Sequence, residues 1–532
     1  MRKDNVFKNF LAGISGKLLS PLLSFIERTV FISLLSEEYL GINGLFGSVL
    51  TVLSLTELGF DAAIAYAMYK PAAENDVEKL KSLMAFYRRI FRIVGAVFLG
   101  LGTLLVPVIP YLAKGSTELV NLRLIFFLNI LSSTASYWFF AYKGQILSAY
   151  QKGYKVTAIS LTFSAATTAV RIAALYLFRN TPTLDFYIYT ILGIVMTIAK
   201  NLAVSRKVDK LYPYMLDKNV VPLTKEEKQP IYRNVLGTAT NKICWKLNDG
   251  IDNTVISALV GVVNSGVYSN YLVIKNIVTT LANTIFGSLH TSLGNFCATE
   301  SKERKEEFFQ TLQFLYFWIF GWFSICLWML YDPFIRDVWL HDAKWLLAPL
   351  DRTLLCFNFL IEGLAGAIVK YRDVHGMYYE TRYRYVLSTV LNISLSIVLT
   401  GPVGMGVTGA LIGTTASLFA VILFDPGMVY KRVFHKSAAE YYRTYFAELA
   451  LVLVTAATVY LICRAVPGHS FGTFVLKCVV CTIVPNGFWY VLFRKRPEAQ
   501  YLWKSAWYVL NKYFKLSRIL PKKMTENSTD GR

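Results

Sequence analysis

Charged side chains recur at one spacing within two membrane-length apolar stretches of the sequence. Lys17 and Glu27 lie in the first stretch, and Lys242 and Asp252 lie in a later one; the shift is the same for both members (242 − 17 = 225 and 252 − 27 = 225). Each charge inside a bilayer costs roughly 2.5 kcal/mol or more on insertion scales. The same unfavourable charges occur twice at the same spacing. This repetition predicts two related halves that face a shared polar cavity.

The cations of the first stretch fall on one helical face. Lys17 and Arg28 are 11 residues apart (28 − 17 = 11), which at about 100° per residue places them nearly in line. Glu27 lies at the edge of that face. The 225-residue offset also relates other pairs, which are Thr29 with Thr254, Gly41 with Gly266, and Phe46 with Tyr271.

The later stretch carries a longer polar stripe. Lys242, Lys246, Asp249 and Asn253 follow the pattern i, i+4, i+7, i+11, with Asp252 beside it. Lipid would not tolerate such a stripe, so it is expected to face a bundle interior or water. Cations without a carboxylate partner would bind an anion; the alternative is mutual neutralisation, for instance of Lys246 by Asp249 or Asp252. The predicted anion-binding residues are Lys17, Arg28, Lys242, Lys246, Lys275 and Asn253.

Carboxylates inside the apolar stretches are candidates for binding a coupling ion. Glu57 and Asp61 in the second stretch are spaced i, i+4 on one face, and paired carboxylates in low dielectric suit proton binding and release. The alternative is that Asp61 lies at the cytoplasmic rim and is solvated. The full set of coupling candidates is Glu27, Glu57, Asp61, Asp249, Asp252 and Glu362.

The composition is that of a membrane protein. Of the 532 residues, 55% are hydrophobic and 17% are charged, against about 25% charged in ordinary soluble domains. We predict an all-α polytopic membrane protein with about 14 transmembrane helices. The predicted spans are 10–34, 41–69, 90–112, 120–142, 156–178, 184–204, 234–260, 266–296, 309–331, 346–369, 385–400, 404–424, 445–463 and 471–493.

Basic residues alternate between the loops. Loops after even-numbered spans carry most of them, for example Lys79, Arg88, Lys152 and Lys228, whereas loops after odd-numbered spans carry few. This asymmetry predicts that both termini are cytoplasmic. It also accounts for the net charge of +21 as a topology signal, so we expect no nucleic-acid partner.

The polar segment after the sixth span divides the chain. We predict an N-terminal six-helix bundle at 1–205, a cytoplasmic linker at 206–233 and a second six-helix bundle at 234–424. Two further helices occupy 425–493, and a basic amphipathic helix and tail occupy 494–532, suited to the anionic membrane surface. An even number of spans separates the repeat copies, so the repeat is parallel.

Signals for catalysis and cofactors are weak. The sequence contains no GxSxG, HExxH or P-loop motif. Cys478 and Cys481 have a metal or redox spacing, but they lack a second ligand pair and lie in an apolar span. We therefore predict no enzyme activity, no metal site and no cofactor, with coupling to a proton or sodium gradient as the expected energy source.

Three segments in the second span resemble a known family. They are 38–46 (EYLGINGLF), 53–60 (LSLTELGF) and 62–71 (AAIAYAMYKP), and 266–271 (GVYSNY) resembles the corresponding segment of the second half. The sequence is similar here to the Wzx-type polysaccharide flippases of the multidrug/oligosaccharidyl-lipid/polysaccharide exporter (MOP) superfamily. Glu57 lies within the matching motif, and Arg28 is similar in placement to a first-span basic residue of related flippases.

The resemblance implies a fold and a function. The fold would be two six-helix bundles around a V-shaped cavity. The function would be translocation of undecaprenyl-pyrophosphate-linked oligosaccharide across the bacterial cytoplasmic membrane by alternating access. Expected partners are this lipid-linked glycan, membrane lipids and the polysaccharide polymerase machinery. A lipid II flippase and a drug or metabolite antiporter of the same fold are the alternatives.

Overall fold

A computed structural model of the chain describes residues 2–54, 60–115, 120–217 and 219–504. In these ranges the regular elements are helices, and no β-strand occurs. The α-helices are α1 (Arg2–Leu34), α2 (Glu37–Leu53), α3 (Phe60–Glu74), α4 (Val77–Leu105), α5 (Ile109–Leu112), α6 (Leu122–Trp138), α7 (Gly144–Ala149), α8 (Gly153–Leu177), α9 (Pro182–Leu211), α10 (Lys225–Val255), α11 (Val262–Thr299), α12 (Lys302–Pro333), α13 (Pro349–Leu364), α14 (Gly366–Val374), α15 (Tyr378–Thr400), α16 (Val407–Val429), α17 (Ala439–Arg464) and α18 (Phe471–Phe493).

The prediction of an all-α polytopic membrane protein is confirmed. Within the described part of the chain, 7 helices are long and apolar enough to cross a membrane, or 8 if the bent pair α13–α14 counts as one span. α1 and α10, which carry the intramembrane charges, are not among the 7. Their polar faces therefore need protein or water beside them, as the sequence predicts.

The helices observed add detail to the predicted spans. The span predicted at 41–69 contains residues of α2 and α3, and its residues 55–59 lie outside the described ranges. The span predicted at 346–369 is bent by 41° between α13 and α14. The predicted amphipathic segment at 494–532 is described as far as residue 504, where Trp503 packs edge-on against Trp318 at 5.8 Å between ring centroids.

The first compact unit comprises Met1–Thr284, Leu347–Asp351 and Tyr378–Ala420. In it α1 packs along α8, α10 packs against α2 and α15, and α4 packs against α6. Its core includes Phe46 of α2 and Phe126 of α6, whose ring centroids are 5.2 Å apart. α10 begins at a capping box, in which Thr224 and Glu227 bond each other's backbone amides.

The second compact unit comprises Ile285–Leu346, Arg352–Met377 and Val421–Arg532. Here α12 packs against α14, α17 and α18. Trp489 of α18 is fully buried, and its indole nitrogen donates a hydrogen bond of 3.0 Å to the hydroxyl of Thr455 on α17. A buried ion pair joins Arg372 to Asp425 at 2.8 Å. The sequence division into two six-helix bundles plus two helices stays a prediction.

Candidate functional site

Arg28 is held between α1 and α11 by neutral partners. Its Nε donates to the amide oxygen of Asn270 at 2.8 Å, and its Nη2 donates to the hydroxyl of Ser269 at 2.5 Å. Asn270 is fully buried and Ser269 nearly so, which fixes the guanidinium in place. No carboxylate among the described residues forms an ion pair with Arg28, so its positive charge remains available to an anion.

Glu27, the adjacent residue of α1, binds side chains of α8 and α9. Its carboxylate accepts hydrogen bonds from Arg171 at 2.8 Å, from Tyr189 at 2.5 Å and from Thr168 at 3.0 Å. The Arg171 guanidinium also lies 4.1 Å from the centroid of the Tyr189 ring. The charge of Glu27 is thus balanced by Arg171 of α8, whereas the hydrogen-bond partners of Arg28 belong to α11.

Arg171 and Tyr189 were not predicted as site residues. The signal that could have identified Arg171 is the one that singled out Lys17, a charge within an apolar span. Its partner could not be read from the sequence, because Glu27 and Arg171 are 144 residues apart.

Two polar residues of α10, Asp252 and Asn253, are buried. The hydroxyl of Thr414 donates to Asp252 at 2.6 Å, while the Asn253 amide donates to Ser48 at 3.0 Å and accepts from Ser265 at 2.8 Å. Both ends of the Asn253 amide are therefore occupied, whereas one Asp252 oxygen has no hydrogen-bond partner in the described structure.

The four predicted lysines differ in exposure. Lys17 is exposed, and Lys242, Lys246 and Lys275 are half-buried. None of the four forms an ion pair with a described residue. Lys246 lies 5.9 Å from the ring of its neighbour Trp245, a weak contact at that distance.

Asp252 lies within the electrostatic reach of two neighbours. The positive charge of Lys275 attracts it, and the negative charge of Asp249, an exposed residue one turn earlier, repels it. All three residues belong to the first unit, together with Arg28, Lys242 and Lys246. Among the described residues of this unit, the predicted site thus holds cations without an ion pair beside the carboxylates Asp249 and Asp252.

Three of the residues predicted to bind a coupling ion are not seen among these contacts. Glu57 lies outside the described residues, and for Asp61 only the backbone, in α3, is described. Glu362 is exposed on α13 and belongs to the second unit. The roles of all predicted site residues stay predictions.

Two glycines related by the 225-residue offset contact each other. A Cβ atom added to Gly266 would lie 3.1 Å from the amide nitrogen of Gly41, and one added to Gly41 would lie 1.8 Å from the carbonyl oxygen of Val262. The backbones of α2 and α11 therefore approach as closely as glycine allows.

A second set of residues related by the offset makes reciprocal contacts. The offset relates Arg28 to Asn253 and Gly44 to Ser269 (28 + 225 = 253; 44 + 225 = 269). Arg28 binds Ser269, and the Asn253 amide lies 3.2 Å from the Cβ position of Gly44. Each residue meets the counterpart of its partner, as a two-fold relation between the two predicted halves would produce; that relation stays a prediction.

The described residues contain no group of three or more His, Cys, Asp or Glu side chains that could hold a metal ion. Cys481 is buried and Cys478 is half-buried, and neither forms a disulfide. No observation in the described part of the chain therefore favours metal or redox chemistry at this pair.

Comparison with known proteins gives structural neighbours. No protein-family model matches, and no curated protein matches in sequence. The lipid II flippase MurJ, in an inward closed conformation, aligns with a TM-score of 0.60 at 14% identity, covering 91% of this chain and 98% of MurJ. An inward-facing multidrug resistance MATE transporter of the MOP superfamily aligns with a TM-score of 0.54 at 13% identity, covering 79% of this chain and 98% of its own. The chain shares the fold of these solved transporters.

Other MOP transporters show the same range of similarity. A MOP-superfamily transporter from Pyrococcus furiosus aligns with a TM-score of 0.53 at 12% identity, covering 82% of this chain and 97% of its own. The solved MOP chains are thus matched over nearly their whole length, while identity at this level identifies a fold and not a substrate.

Proposed function

We propose that the protein translocates undecaprenyl-pyrophosphate-linked oligosaccharide across the bacterial cytoplasmic membrane for surface polysaccharide synthesis. One observation carries the proposal: the predicted site cations of the first unit form no ion pair with a carboxylate among the described residues; they are Lys17, Arg28, Lys242, Lys246 and Lys275. Glu27 pairs with Arg171 instead, and Asp252 accepts from Thr414. The alternative of mutual neutralisation is therefore disfavoured for Lys246 and Arg28.

The chemistry of the headgroup matches these cations. A pyrophosphate cannot cross hydrocarbon unaided, and replacing its hydration requires fixed positive charge. Arg28 retains N–H donors beyond the two it gives to Asn270 and Ser269, and guanidinium binds phosphate oxygens in a planar fork. Lys242, Lys246 and Lys275 would add point charges, while the polyprenyl tail stays in lipid.

Coupling to a proton or sodium gradient would use a carboxylate that changes partners. Asp252 is the strongest candidate, because it is buried and one of its oxygens has no hydrogen-bond partner in the described structure. The neighbouring charges of Lys275 and Asp249 would influence how readily Asp252 binds the coupling ion. Glu27 is a weaker candidate, since three donors already hold its carboxylate.

The test is transport by charge variants. Arg28→Gln keeps donors for Asn270 but removes the charge, and Lys246→Ala removes a cation that has no ion pair among the described residues. Loss of a charged hydrogen-bond donor costs about 1.5–3 kcal/mol, so we expect translocation of lipid-linked oligosaccharide in proteoliposomes to fall roughly 10- to 100-fold.

Lys207→Ala is the matched control, since Lys207 is exposed at the predicted cytoplasmic end of α9. It should transport at the wild-type rate. Full activity of both Arg28→Gln and Lys246→Ala at normal abundance would overturn the cationic site.

Lipid II transport is the second candidate. MurJ covers more of this chain than the MATE transporter does, 91% against 79%. Complementation separates the two: rescue of a strain depleted of its lipid II flippase, without rescue of a polysaccharide-flippase mutant, would favour lipid II. Antiport of organic cations, the third possibility, would call for an acidic lining in place of unpaired cations.

A further inference from the structure

A basic cavity of about 510 Å³ lies in the first unit, apart from the candidate site. Its walls come from α4, from the segment between α6 and α7, and from the segment after α9, with none from α1, α10 or α11. Its charged lining residues are Lys81, Arg88, Arg89, Arg92, Lys143 and Asp217. The lining is therefore strongly cationic.

The two lysines form ion pairs with carboxylates around the cavity. The Lys81 ammonium lies 2.9 Å from Asp217 and 2.7 Å from Glu78. The Lys143 ammonium lies 2.7 Å from Asp209, at the end of α9. Both lysine side chains are nearly buried, so their charges are already balanced and their role is structural.

The three arginines differ from these lysines because their side chains are exposed. Arg88, Arg89 and Arg92 form no ion pair or side-chain hydrogen bond with any residue in the described ranges. They lie within little more than one turn of α4, where like charges repel. Arg88 and Arg92 also act electrostatically on the Tyr142 hydroxyl across the cavity. An anion between these groups would relieve the repulsion.

The position of the arginines along α4 indicates where that anion comes from. One turn after Arg89, exposed apolar side chains continue along the same face, at Ile93, Val97, Leu101 and Leu104. An exposed apolar stripe on a helix of a membrane protein is expected to face lipid. That would put the arginines where the helix enters the membrane, at the level of lipid headgroups.

We propose that this cavity binds a phosphate group, supplied by the headgroup of an anionic membrane lipid on the membrane side predicted to be cytoplasmic. Arg88, Arg89 and Arg92 hold the phosphate oxygens through charge-assisted hydrogen bonds. The apolar wall residues Met84 and Met215 contact the glycerol and upper acyl chain. The site does not depend on which lipid-linked glycan the protein transports.

The experiment measures lipid binding to the full-length protein by native mass spectrometry in detergent. Wild type is compared with the triple variant Arg88→Gln, Arg89→Gln, Arg92→Gln, using phosphatidylglycerol and phosphatidylcholine as probes. The matched control is Arg206→Gln, Lys207→Gln, Lys210→Gln, which removes three exposed cations from the same predicted side of the membrane. The double variant Arg89→Gln, Arg92→Gln serves if the triple variant does not fold.

At about fivefold per basic residue near a membrane surface, the triple variant should lose roughly 100-fold in phosphatidylglycerol affinity while the control keeps it. A second arm adds inorganic pyrophosphate to lipid-depleted protein and follows the melting temperature. Stabilisation of wild type but not of the triple variant by pyrophosphate, with no preference for phosphatidylglycerol, would support the phosphate site and assign it to a soluble ligand. Equal losses in both triple variants, or no loss in either arm, would overturn the site.

Discussion

Glu27 and Arg28 are adjacent in sequence but bind to different helices. Neighbouring residues on a helix point about 100° apart, so the carboxylate reaches Arg171 and Tyr189 while the guanidinium reaches Asn270. This separation prevents the two charges from neutralising each other. The charge of Arg28 is thus not neutralised by its acidic neighbour, which binds Arg171 instead.

A double-mutant cycle tests the Glu27–Arg171 pair. Both side chains are largely buried, and breaking such a pair leaves the other charge uncompensated. We expect Glu27→Gln and Arg171→Gln each to lower the melting temperature, with a coupling energy of about 1–3 kcal/mol. The measurement is thermal unfolding in detergent by intrinsic fluorescence.

The control cycle uses Lys70 and Glu74, whose side chains are 84% and 58% exposed. Exposed ion pairs contribute little because water screens them. No measurable coupling is expected there. If the two cycles gave equal coupling energies, the stabilising role assigned to Glu27 would be wrong.

The sequence predicted the candidate cations but not their surroundings. Lys17, Arg28 and Lys242 were found because a charge inside an apolar span is conspicuous. The engagement of Glu27 by Arg171 and of Asp252 by Thr414 depends on which helices pack together. Such packing joins residues more than a hundred positions apart, which no spacing rule reports.

At the scale of helices, the contact between α2 and α11 is the tightest around the candidate site. Gly41→Ala would place a methyl group 1.8 Å from a backbone carbonyl oxygen, which cannot move away as a flexible side chain can. We expect this variant to lose several degrees of melting temperature or to fail to fold, by forcing α2 from α11.

Gly47→Ala is the control on the same helix, because a Cβ atom there would meet nothing within 4 Å. Alanine favours helix over glycine by about 1 kcal/mol, so this variant should be as stable as wild type or more so. The thermal unfolding of both is compared in one detergent. A stable Gly41→Ala protein would show that the helices do not approach as described.

The start of α10 provides a pH-dependent contact outside the membrane. The Lys79 ammonium beside Glu227, together with the Thr224 backbone amide, holds the pKa of the Glu227 carboxyl below its usual value of 4.5. A lowered pKa in the folded state stabilises it above about pH 4.5, and that stabilisation is lost as the pH falls through the lower folded value. Glu227→Gln should therefore show a smaller loss of melting temperature on acidification than wild type.

Glu226→Gln is the matched control for this pH series. Glu226 is exposed in the same helical turn and forms no ion pair with a described residue. Its variant should follow the wild-type curve. If the melting temperatures of Glu227→Gln and wild type fell equally on acidification, the Lys79–Glu227 pair would not contribute to the pH dependence.

Helix positions were more predictable than helix continuity. Apolar runs locate α8, α9, α17 and α18 because composition alone sets their membrane-length character. The bend between α13 and α14 was missed, since hydropathy is insensitive to backbone direction.

For the whole molecule, the predicted orientation joins three separate parts of the sequence. The loops predicted to be cytoplasmic after the second, fourth and sixth spans supply the walls of the basic cavity, through Lys81, Lys143 and Asp217. Three loops assigned to one side from charge alone thus meet at one end of the first unit. Their convergence supports the order of the spans, whereas the side of the membrane they occupy stays a prediction.

Cysteine labelling at the two ends of α9 tests that side. Asn180 and Lys207 are both exposed and are 27 residues apart (207 − 180 = 27), about 40 Å along a helix. The seven native cysteines are buried or half-buried, so background labelling should be low. A membrane-impermeant maleimide applied to intact cells should label Asn180→Cys but not Lys207→Cys, and permeabilised cells should label both.

The possible outcomes bear on different claims. Labelling of Lys207→Cys alone in intact cells would invert the orientation and place the basic cavity in the outer leaflet. Labelling of both variants in intact cells would contradict α9 as a membrane span, although it is among the helices apolar enough to cross. The expected result places the basic cavity on the side where lipid-linked oligosaccharides are assembled, as loading of the proposed substrate from the cytoplasm requires.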